Sequence, residues 1–304
     1  MKLLILGNTN GGPTERNRQY YQEYVDFFVA SAKTVDDSTV VRATLVDDLV
    51  ISVGDGAFSI IDTLHGVDIA EYDVIFIRGD QLRKYMGTIV SVNEYAVMHG
   101  IEVINDYANA RDSSKLLQAV RFEKLDIPVA RTLLVTGGLL KNMPTDWKFP
   151  CIMKETHGSH GDDNHLVQNV EEVVRIAAET PEKSFVLQRF IPNDGDFRVL
   201  IIGSEVMVIG RRAVEGSHLN NTSKGGDAVI LPTDSLPEKI IADAKKIMHE
   251  LHMTIAGVDV LMDKETGDYY FLEVNAQPQL MSGAAIAEKR SMMGRMLDSL
   301  HNKR

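Results

Sequence analysis

The segment Tyr269-Tyr270-Phe271-Leu272-Glu273-Val274-Asn275 is a run of strand-forming residues interrupted by one acid and closed by one amide. Its aromatic and branched residues predict a β-strand. Residues two apart on a strand share a face, so Glu273 and Asn275 stand side by side while Leu272 and Val274 turn to the opposite, packed side. A carboxylate next to a carboxamide oxygen suits a hard cation such as Mg2+, which completes its shell with phosphate and water. Taken alone, the pair fits the wet face of an edge strand equally well. Upstream, Gly257-Val258-Asp259-Val260-Leu261 places an acid inside an apolar strand, where it needs a partner to offset its desolvation. A five-residue hairpin loop, Lys264–Asp268, would set Asp259 directly opposite Glu273, and a slip of one residue would turn it away.

Candidate cations lie on both sides of this pair. Lys154 ends the apolar run Phe149-Pro150-Cys151-Ile152-Met153 and precedes the glycine-bearing loop Gly158-Ser159-His160-Gly161. Such a loop can close over phosphates with its backbone N–H groups while the lysine supplies a point charge. A plain turn with a surface lysine explains the same residues. Lys115 opens a helical stretch, where most lysines are solvated. Arg198 sits within Gly195-Asp196-Phe197-Arg198-Val199-Leu200, a strand in which an unpaired guanidinium would be costly, so it wants an anion. Arg211 and Arg212 close the next strand, and Asn220, Asn221 and Lys224-Gly225-Gly226 follow. Any one of these cations could instead serve a structural ion pair.

The rest of the chain supplies the scaffold. Lys2–Leu6, Asp73–Gly79 and Ile101–Asn105 are short apolar runs of the kind found in parallel sheets covered on both faces. Helices through Tyr21, Tyr24, Val25 and Phe28 (capped by Thr14) and through Val90–Met98 alternate with them, giving an α/β lobe over the first third. Further on, Ser113–Leu125 reads as a helix, and Asn169 with Glu172 has capping-box spacing. A helix with the apolar face Ile240, Ile241, Ala244, Ile247, Met248 and Leu251 is expected to start at Ser235, with Glu238 completing the box. Pattern changes divide the chain at 1–105, 106–183 and 184–304.

Composition narrows the function classes. The 304 residues are 44% hydrophobic and 25% charged, as in ordinary globular proteins. Thirty-two basic against 43 acidic residues give a net charge of −11, which argues against broad nucleic-acid binding. No apolar run approaches the roughly 20 residues of a membrane span. Met1–Leu6 reads as a first strand rather than a signal peptide, and the single cysteine fits a reducing cytoplasm. Cys151, beside Pro150, reads as packing rather than a nucleophile.

The order of these pieces resembles the ATP-grasp superfamily. Asp112…Lys115, Phe149-Pro150…Lys154…Gly158–Gly161 and Leu187-Gln188-Arg189-Phe190-Ile191 resemble its first half. Asp196-Phe197-Arg198, Arg211-Arg212, Asn220…Gly225-Gly226, Ala256–Asp259 and Glu273-Val274-Asn275-Ala276 resemble its second. The resemblance spans about residues 105–285 and is closest to RimK-type ligases, which join an amino acid to a protein, peptide or small-molecule carboxylate. It implies an ATP-grasp fold, α/β with an α+β C-terminal half, behind an N-terminal parallel-sheet pre-ATP-grasp lobe. It also implies that Lys115, Lys154, Gly158, Ser159 and Gly161 bind ATP phosphates, and that Gln188, Arg189, Phe190 and Ile191 form the adenine hinge. Asp196 would lie near ribose or substrate, Arg198 and Arg211 at the γ-phosphate and the activated carboxylate, and Asn220 or Asn221 at the acceptor site. Asp259, Glu273 and Asn275 would hold two Mg2+ ions, for which Mn2+ could substitute.

The implied product is an amide, with ADP and phosphate released; the family suggests a homodimer or homotetramer. An inactive ATP-binding scaffold and a glutathione-synthetase-like dipeptide ligase are the alternatives, and the complete metal trio favours an enzyme. The sequence departs from the pattern at Arg189, where glutamate is common, at the acids Asp162 and Asp163, and at the turn Gln277-Pro278-Gln279, which lacks the usual small residues. His157, His160 and His165 share the lid loop without helical spacing. For the substrate pocket, the loop Asn8–Gly12 and the strand end Arg78-Gly79 open at the carboxyl edge of the first sheet, where ligands gather in α/β folds; an ordinary βα loop reads the same way.

Overall fold

The computed structural model describes residues 1–8, 12–35, 39–79, 84–106, 114–158, 164–212 and 227–303. Its first part runs β1 (Lys2–Asn8), α1 (Glu15–Ala32), β2 (Val40–Leu45), β3 (Leu49–Gly54), β4 (Ala57–Asp62), β5 (Val67–Asp68), β6 (Val74–Gly79), α2 (Met86–His99) and β7 (Glu102–Ile104). The middle holds α3 (Lys115–Lys124), β8 (Thr132–Leu134), α4 (Gly137–Lys141), β9 (Cys151–Glu155), β10 (Asn164–Val167), α5 (Val170–Glu179) and β11 (Phe185–Arg189). The last part comprises β12 (Asp196–Ile202), β13 (Glu205–Arg212), β14 (Asp227–Leu231), α6 (Glu238–Glu250), β15 (Ile255–Met262), β16 (Tyr269–Asn275) and α7 (Ile286–His301).

Strands β2-β1-β6-β7 form the parallel sheet that the apolar runs require. Leu3, Ile5, Val74 and Phe76 pack on one face against Tyr21, Tyr24 and Phe28 of α1 and Met292, Met293 and Met296 of α7. Leu4, Leu6, Ile75 and Ile77 pack on the other with Ile60, Ile89, Val92 and Tyr95. Both faces are dry, as expected for buried parallel strands. The strand β2 and the small antiparallel sheet β3-β4-β5 were not foreseen. They carry mixed, half-exposed faces, such as Val40 at 50% and Val53 at 74% exposed, which hide a strand period.

Two antiparallel sheets follow, β10-β9-β11-β8 and β14-β13-β12-β15-β16. In the first, Cys151, Met153, Phe185 and Leu187 bury against Val173 and Ile176 of α5. In the second, Val199, Ile201, Val258, Val260, Phe271 and Val274 bury against α6 and Phe122 of α3. The opposite face of that sheet is apolar at one end, where Leu200, Ile202, Met207 and Ile209 join the layer under α1 and α7. At the other end it carries Asp196, Arg198, Arg211, Asp259 and Glu273.

Two local expectations need correction. Helix α6 begins at Glu238 behind Pro237, and Ser235 ends a short 3-10 turn instead of capping it. Pro237 disfavours helix at Leu236, which is extended and drawn into the core at 3% exposure. The β15–β16 hairpin pairs Met262 with Tyr269, so its connection, 263–268, is one residue longer than expected. A bulge after Asp259 absorbs the difference: Val260 faces Phe271, Asp259 faces Glu273, and Leu272 is the extra residue. Asp259 and Glu273 are therefore opposed as expected, by a different route. Leu272 does not follow Val274 to the packed side but packs against the cluster of Ala130, Ile191 and Leu261, as Tyr270 does.

The junction of β1 and β6 is organised by one hydroxyl. Tyr21 Oη donates toward Asn8 O (2.8 Å) and Arg78 O (2.9 Å) and accepts from Asn8 N (3.0 Å). Its ring lies where a side chain at Gly7 would stand, a built Cβ coming within 2.4 Å. Tyr21→Phe strands buried backbone groups at this strand end and should cost about 1–3 kcal/mol. Urea denaturation should show that loss as a lower midpoint with an unchanged m-value.

Candidate active site

Four charged residues on three adjacent strands form the centre of the site. Asp196 on β12 lies directly across from Arg211 on β13, and Arg198, two residues along β12, directly across from Asp259 on β15. Residues two apart share a face, so all four side chains meet. Arg198 donates Nε to Asp259 Oδ1 (2.7 Å) and Nη2 to Oδ2 (2.8 Å). Arg211 grips Asp196 in the same way at 2.7 and 2.8 Å, and its Nη2 also lies 2.9 Å from Asp259 Oδ2. Gly257 makes room for this: a Cβ there would stand 2.8 Å from Arg198 Cδ.

The two acids differ in how readily they take up a proton. Burial pushes Asp196 up, to about 6, against the pull of Arg211. Burial pushes Asp259 the same way, but Arg198 and Arg211 outweigh it and hold that carboxyl at about 2. Asp259 therefore stays ionised. Arg198 and Arg211, expected to meet substrate anions, have carboxylate partners of their own, yet neither Nη1 has a protein acceptor among the described residues.

The three residues expected to hold a cation lie together on β15 and β16. Glu273 is opposite Asp259, and Asn275 stands two residues along. Asp259 Oδ2 already accepts two arginine N–H groups and Oδ1 one, so Oδ1 keeps a lone pair for a cation. Glu273, 38% exposed at its side chain, faces Lys115 Nζ at 3.6 Å. Asn275 Oδ1 accepts from Gln277 N (3.0 Å). Among the described residues there is no group of three His, Cys, Asp or Glu able to hold a metal by itself. Two carboxylates and an amide suit a cation that brings phosphate and water as its remaining ligands.

Lys115 opens α3 behind the cap Ser114, and its Nζ also reaches Gly158 O, linking Glu273 of β16 to the loop that follows β9. Lys154 on β9 is half-buried and donates to Gln188 Oε1 at 2.8 Å, and burial lowers its pKa. Gln188 donates in turn to Thr132 Oγ1 (3.2 Å). In the segment expected to be the hinge, Arg189 is exposed and its guanidinium lies 4.9 Å over the Tyr270 ring, which gives this residue a partner on the protein itself. Phe190 is half-buried. Ile191 is buried with Ala130 and Leu261, beside Leu272 and Tyr270, making an apolar patch of the kind a purine face requires. Ser159, Gly161, Asn220, Asn221, Asp162, Asp163 and His160 lie outside the described residues. Cys151 is fully buried and its thiol is pushed up by burial, in keeping with a packing role.

Three positioning amides escaped the sequence reading, Gln118 and Asn105 buried and Gln277 half-buried. Gln118 of α3 accepts from Val274 N (2.7 Å), pinning the backbone between Glu273 and Asn275. Asn105 accepts from Thr254 N and Ile255 N (2.8 Å each) and donates to Ile255 O (2.7 Å) and Ala276 O (3.1 Å). Gln277 clamps Gly79, accepting from its N–H (2.9 Å) and donating to its carbonyl (2.7 Å). This explains a glutamine in a turn expected to hold small residues. Lys289 of α7, 3% exposed, was also missed; it donates to Ser282 O (2.9 Å), and burial lowers it to about 8.

Comparisons with known proteins identify the family and the fold. The model of the RimK-like ATP-grasp domain matches residues 110–299. A probable alpha-L-glutamate ligase of Psychromonas ingrahamii is 26% identical over 266 residues, covering 79% of this chain and 85% of that one. A tetrahydromethanopterin:alpha-L-glutamate ligase of Methanosarcina acetivorans is 27% identical over 285 residues, covering 82% and 79%. Among solved structures, the ATP-grasp ligase PsnB complexed with minimal precursor, Mg and ADP superposes with a TM-score of 0.68 at 15% identity, covering 98% of this chain and 96% of that one. The chain belongs to the RimK-like ATP-grasp domain family and has the fold of ADP-forming carboxylate–amine ligases.

Proposed function

We propose that this protein joins a carboxylate to the amine of an amino acid or peptide, using MgATP, and that Asp259, Glu273, Asn275, Lys115, Lys154, Arg198 and Arg211 carry the reaction. The observation that supports this most is the opposition of Asp259 and Glu273 across β15 and β16, with Arg198 bound to the first and Lys115 facing the second. Two cations and two acids at one strand end suit a phosphate chain and its counter-ion.

A carboxylate is a poor electrophile at neutral pH. In the proposed reaction a carboxylate oxygen attacks the γ-phosphorus of ATP, the bond to the β-phosphate oxygen breaks, and ADP leaves. The amine nitrogen then attacks the acyl carbon, the C–O bond to phosphate breaks, and the amine gives up a proton. Mg2+, when bound, would neutralise charge developing on the phosphates. The protein needs no nucleophile of its own; Lys154 and Lys115 would place the phosphates, and the Nη1 groups of Arg198 and Arg211, which have no acceptor among the described residues, would serve the oxygens that gain charge. The apolar patch of Ala130, Ile191, Leu261, Leu272 and Tyr270 is assigned to adenine. Residues 106–183 and 184–304 would then be the two halves that close on ATP, with 1–105 contributing to the substrate side. Glutamate is one candidate amine, since two relatives are named for glutamate ligation.

Glu273→Gln is the cleanest test, because the side chain is accessible and lies outside the buried Arg–Asp network. Amine-dependent ADP release should fall at least about 100-fold, in line with loss of one transition-state electrostatic contact, while the thermal midpoint shifts little. Turnover at the wild-type rate would reject the metal assignment. Asp259→Asn, by contrast, leaves two buried guanidinium groups short of charge and should destabilise the fold by about 3–5 kcal/mol, read by denaturant unfolding.

Lys154→Met removes a phosphate contact without leaving a charge unpaired. Its affinity for a nonhydrolysable ATP analogue should drop about 10–100-fold, the value of a charge-assisted hydrogen bond, as measured by calorimetry.

A further inference from the structure

Lys289, in the first turn of α7, is left over when the ATP site is assembled. It is 3% exposed, although its neighbours Glu288 and Arg290 lie on the surface. It stands one turn before Met292 and Met293 on the stripe that α7 buries, a position where a core helix carries an apolar residue. Its Nζ donates to the carbonyl of Ser282 (2.9 Å), and no carboxylate partners it among the described residues. One neutral acceptor does not offset the desolvation of an ammonium, so the fold itself gives no reason for an amine here.

Packing carries Lys289 to the charged centre. Arg198, Leu200 and Ile202 alternate along β12 onto one face, and Leu200 and Ile202 share a layer with Met292, Met293 and Met296 of α7. Met296 lies against Gly203, just beyond Ile202, where a built Cβ would stand 2.9 Å from its Cγ. Stepping back along α7 from Met296 to Met292 to Lys289 therefore follows β12 back from Gly203 toward Arg198. Helical side chains lean toward their own N-terminus, which takes Nζ further the same way, to the turn 276–285 that continues from Asn275. Arg198 is the charged group whose field reaches Lys289. The turn 276–285 has no titratable residue, and β13 presents Met207, Ile209 and then Arg211, which Asp196 holds. The acids of α1 nearest this layer, Glu23 and Asp26, are exposed. Burial first, and Arg198 second, lower the lysine to about 8, so a share of it is free amine at neutral pH.

We infer that Lys289 is the general base that takes a proton from the incoming ammonium and so frees the nitrogen to attack the acyl phosphate. This rests on the ligase reading above. One proton moves from the substrate ammonium to the lone pair of Nζ, and the freed nitrogen pair forms the bond to the acyl carbon. The C–O bond to phosphate breaks, the phosphate keeps that electron pair, and the second proton of the nitrogen leaves with it. Lys289 returns its proton to solvent beside Ser282 and Gly283, which are exposed. The acids of the centre are poorly placed for this task, since Asp196 and Asp259 each have both oxygens bound by arginine. A base whose pKa lies close to that of an α-amino group transfers protons with little free-energy change in either direction.

The test uses the full chain with ATP, Mg2+ and a carboxylate–amine pair found by ADP release among the standard amino acids and short peptides. Hydroxylamine serves as a second amine; it arrives uncharged at neutral pH and skips the first proton transfer. Lys289→Met should lower kcat with the amino acid about 100-fold or more, as loss of a general base does, and with hydroxylamine less than about 5-fold. Lys289→Arg should behave like Lys289→Met, because a guanidinium keeps the charge but does not give up its proton. In the unmodified protein, kcat with the amino acid should fall as pH drops through about 8, and with hydroxylamine it should not. An arginine variant that restores the rate, or equal losses with both amines, overturns the inference in favour of a role for the charge alone. Should either variant fail to bind a nonhydrolysable ATP analogue, 13C NMR of the lysine Cε in the unmodified protein decides. A midpoint at least about one unit below the ordinary 10.4 supports the base, and the ordinary value overturns it. Absence of amine-dependent ADP release with every pair sinks the ligase reading; release that both variants preserve sinks the inference alone.

Discussion

Four buried charges, Asp196, Arg198, Arg211 and Asp259, impose the condition that the C-terminal half of this protein must meet. Each is too costly to bury alone, and removing one partner of such a set is worse than never having had it. The pairing works only because β12, β13 and β15 hold one register, in which Asp196 meets Arg211 and Arg198 meets Asp259 straight across the ladder. A one-residue slip of either neighbour would turn its charge into the apolar layer under α6. The same register that packs Val199, Ile201, Val258 and Val260 on one face therefore assembles the charged centre on the other.

Strand β16 depends on that sheet but stands at its edge, where backbone groups lack ladder partners. The protein closes this edge with side chains and a loop. Gln118 takes Val274 N, Pro128 O takes Phe271 N (2.8 Å), and Asn105 and Gln277 bind the turn beyond. These groups hold the backbone on both sides of Glu273 and Asn275. A divalent cation rewards such fixation, since its oxygen ligands must stand at set distances. The bulge at Leu272 belongs to the same design: it restores Asp259 opposite Glu273 and frees one apolar side chain for the patch of Ala130, Ile191 and Leu261.

Much of this was legible where chemistry and period coincide. An acid within Gly257–Leu261 and an arginine within Phe197–Leu200 both announced a need for partners, and Glu273 with Asn275 announced a shared face. What the sequence did not disclose is that the needs would be met by each other. Pairing between strands 61 residues apart leaves no local trace. Gln118, Asn105 and Gln277 were invisible for a related reason: amides are commonest at surfaces, and only the fold decides which become backbone ligands. The strands β3 and β4 did leave a signal, Asp55-Gly56 at positive φ in a tight two-residue hairpin turn, but their exposed faces masked it. Pro237 likewise outranked a well-spaced capping box, because the residue before a proline resists the helix and Leu236 has a core to fill.

The charge arithmetic of the site also explains how a chain of net charge −11 can hold a polyanion. Asp196 and Asp259 cancel Arg198 and Arg211, and Glu273 faces Lys115. Of the four cations assigned to the phosphates and the activated carboxylate, Lys154 is the one whose hydrogen-bond partner is neutral, Gln188. One uncompensated ammonium against a triphosphate leaves a large deficit, which a divalent cation on Glu273 and Asn275 would reduce by two charges. On the proposed reading the metal would be part of the binding site itself, because the arginines that might have replaced it are already committed to holding the sheet in register.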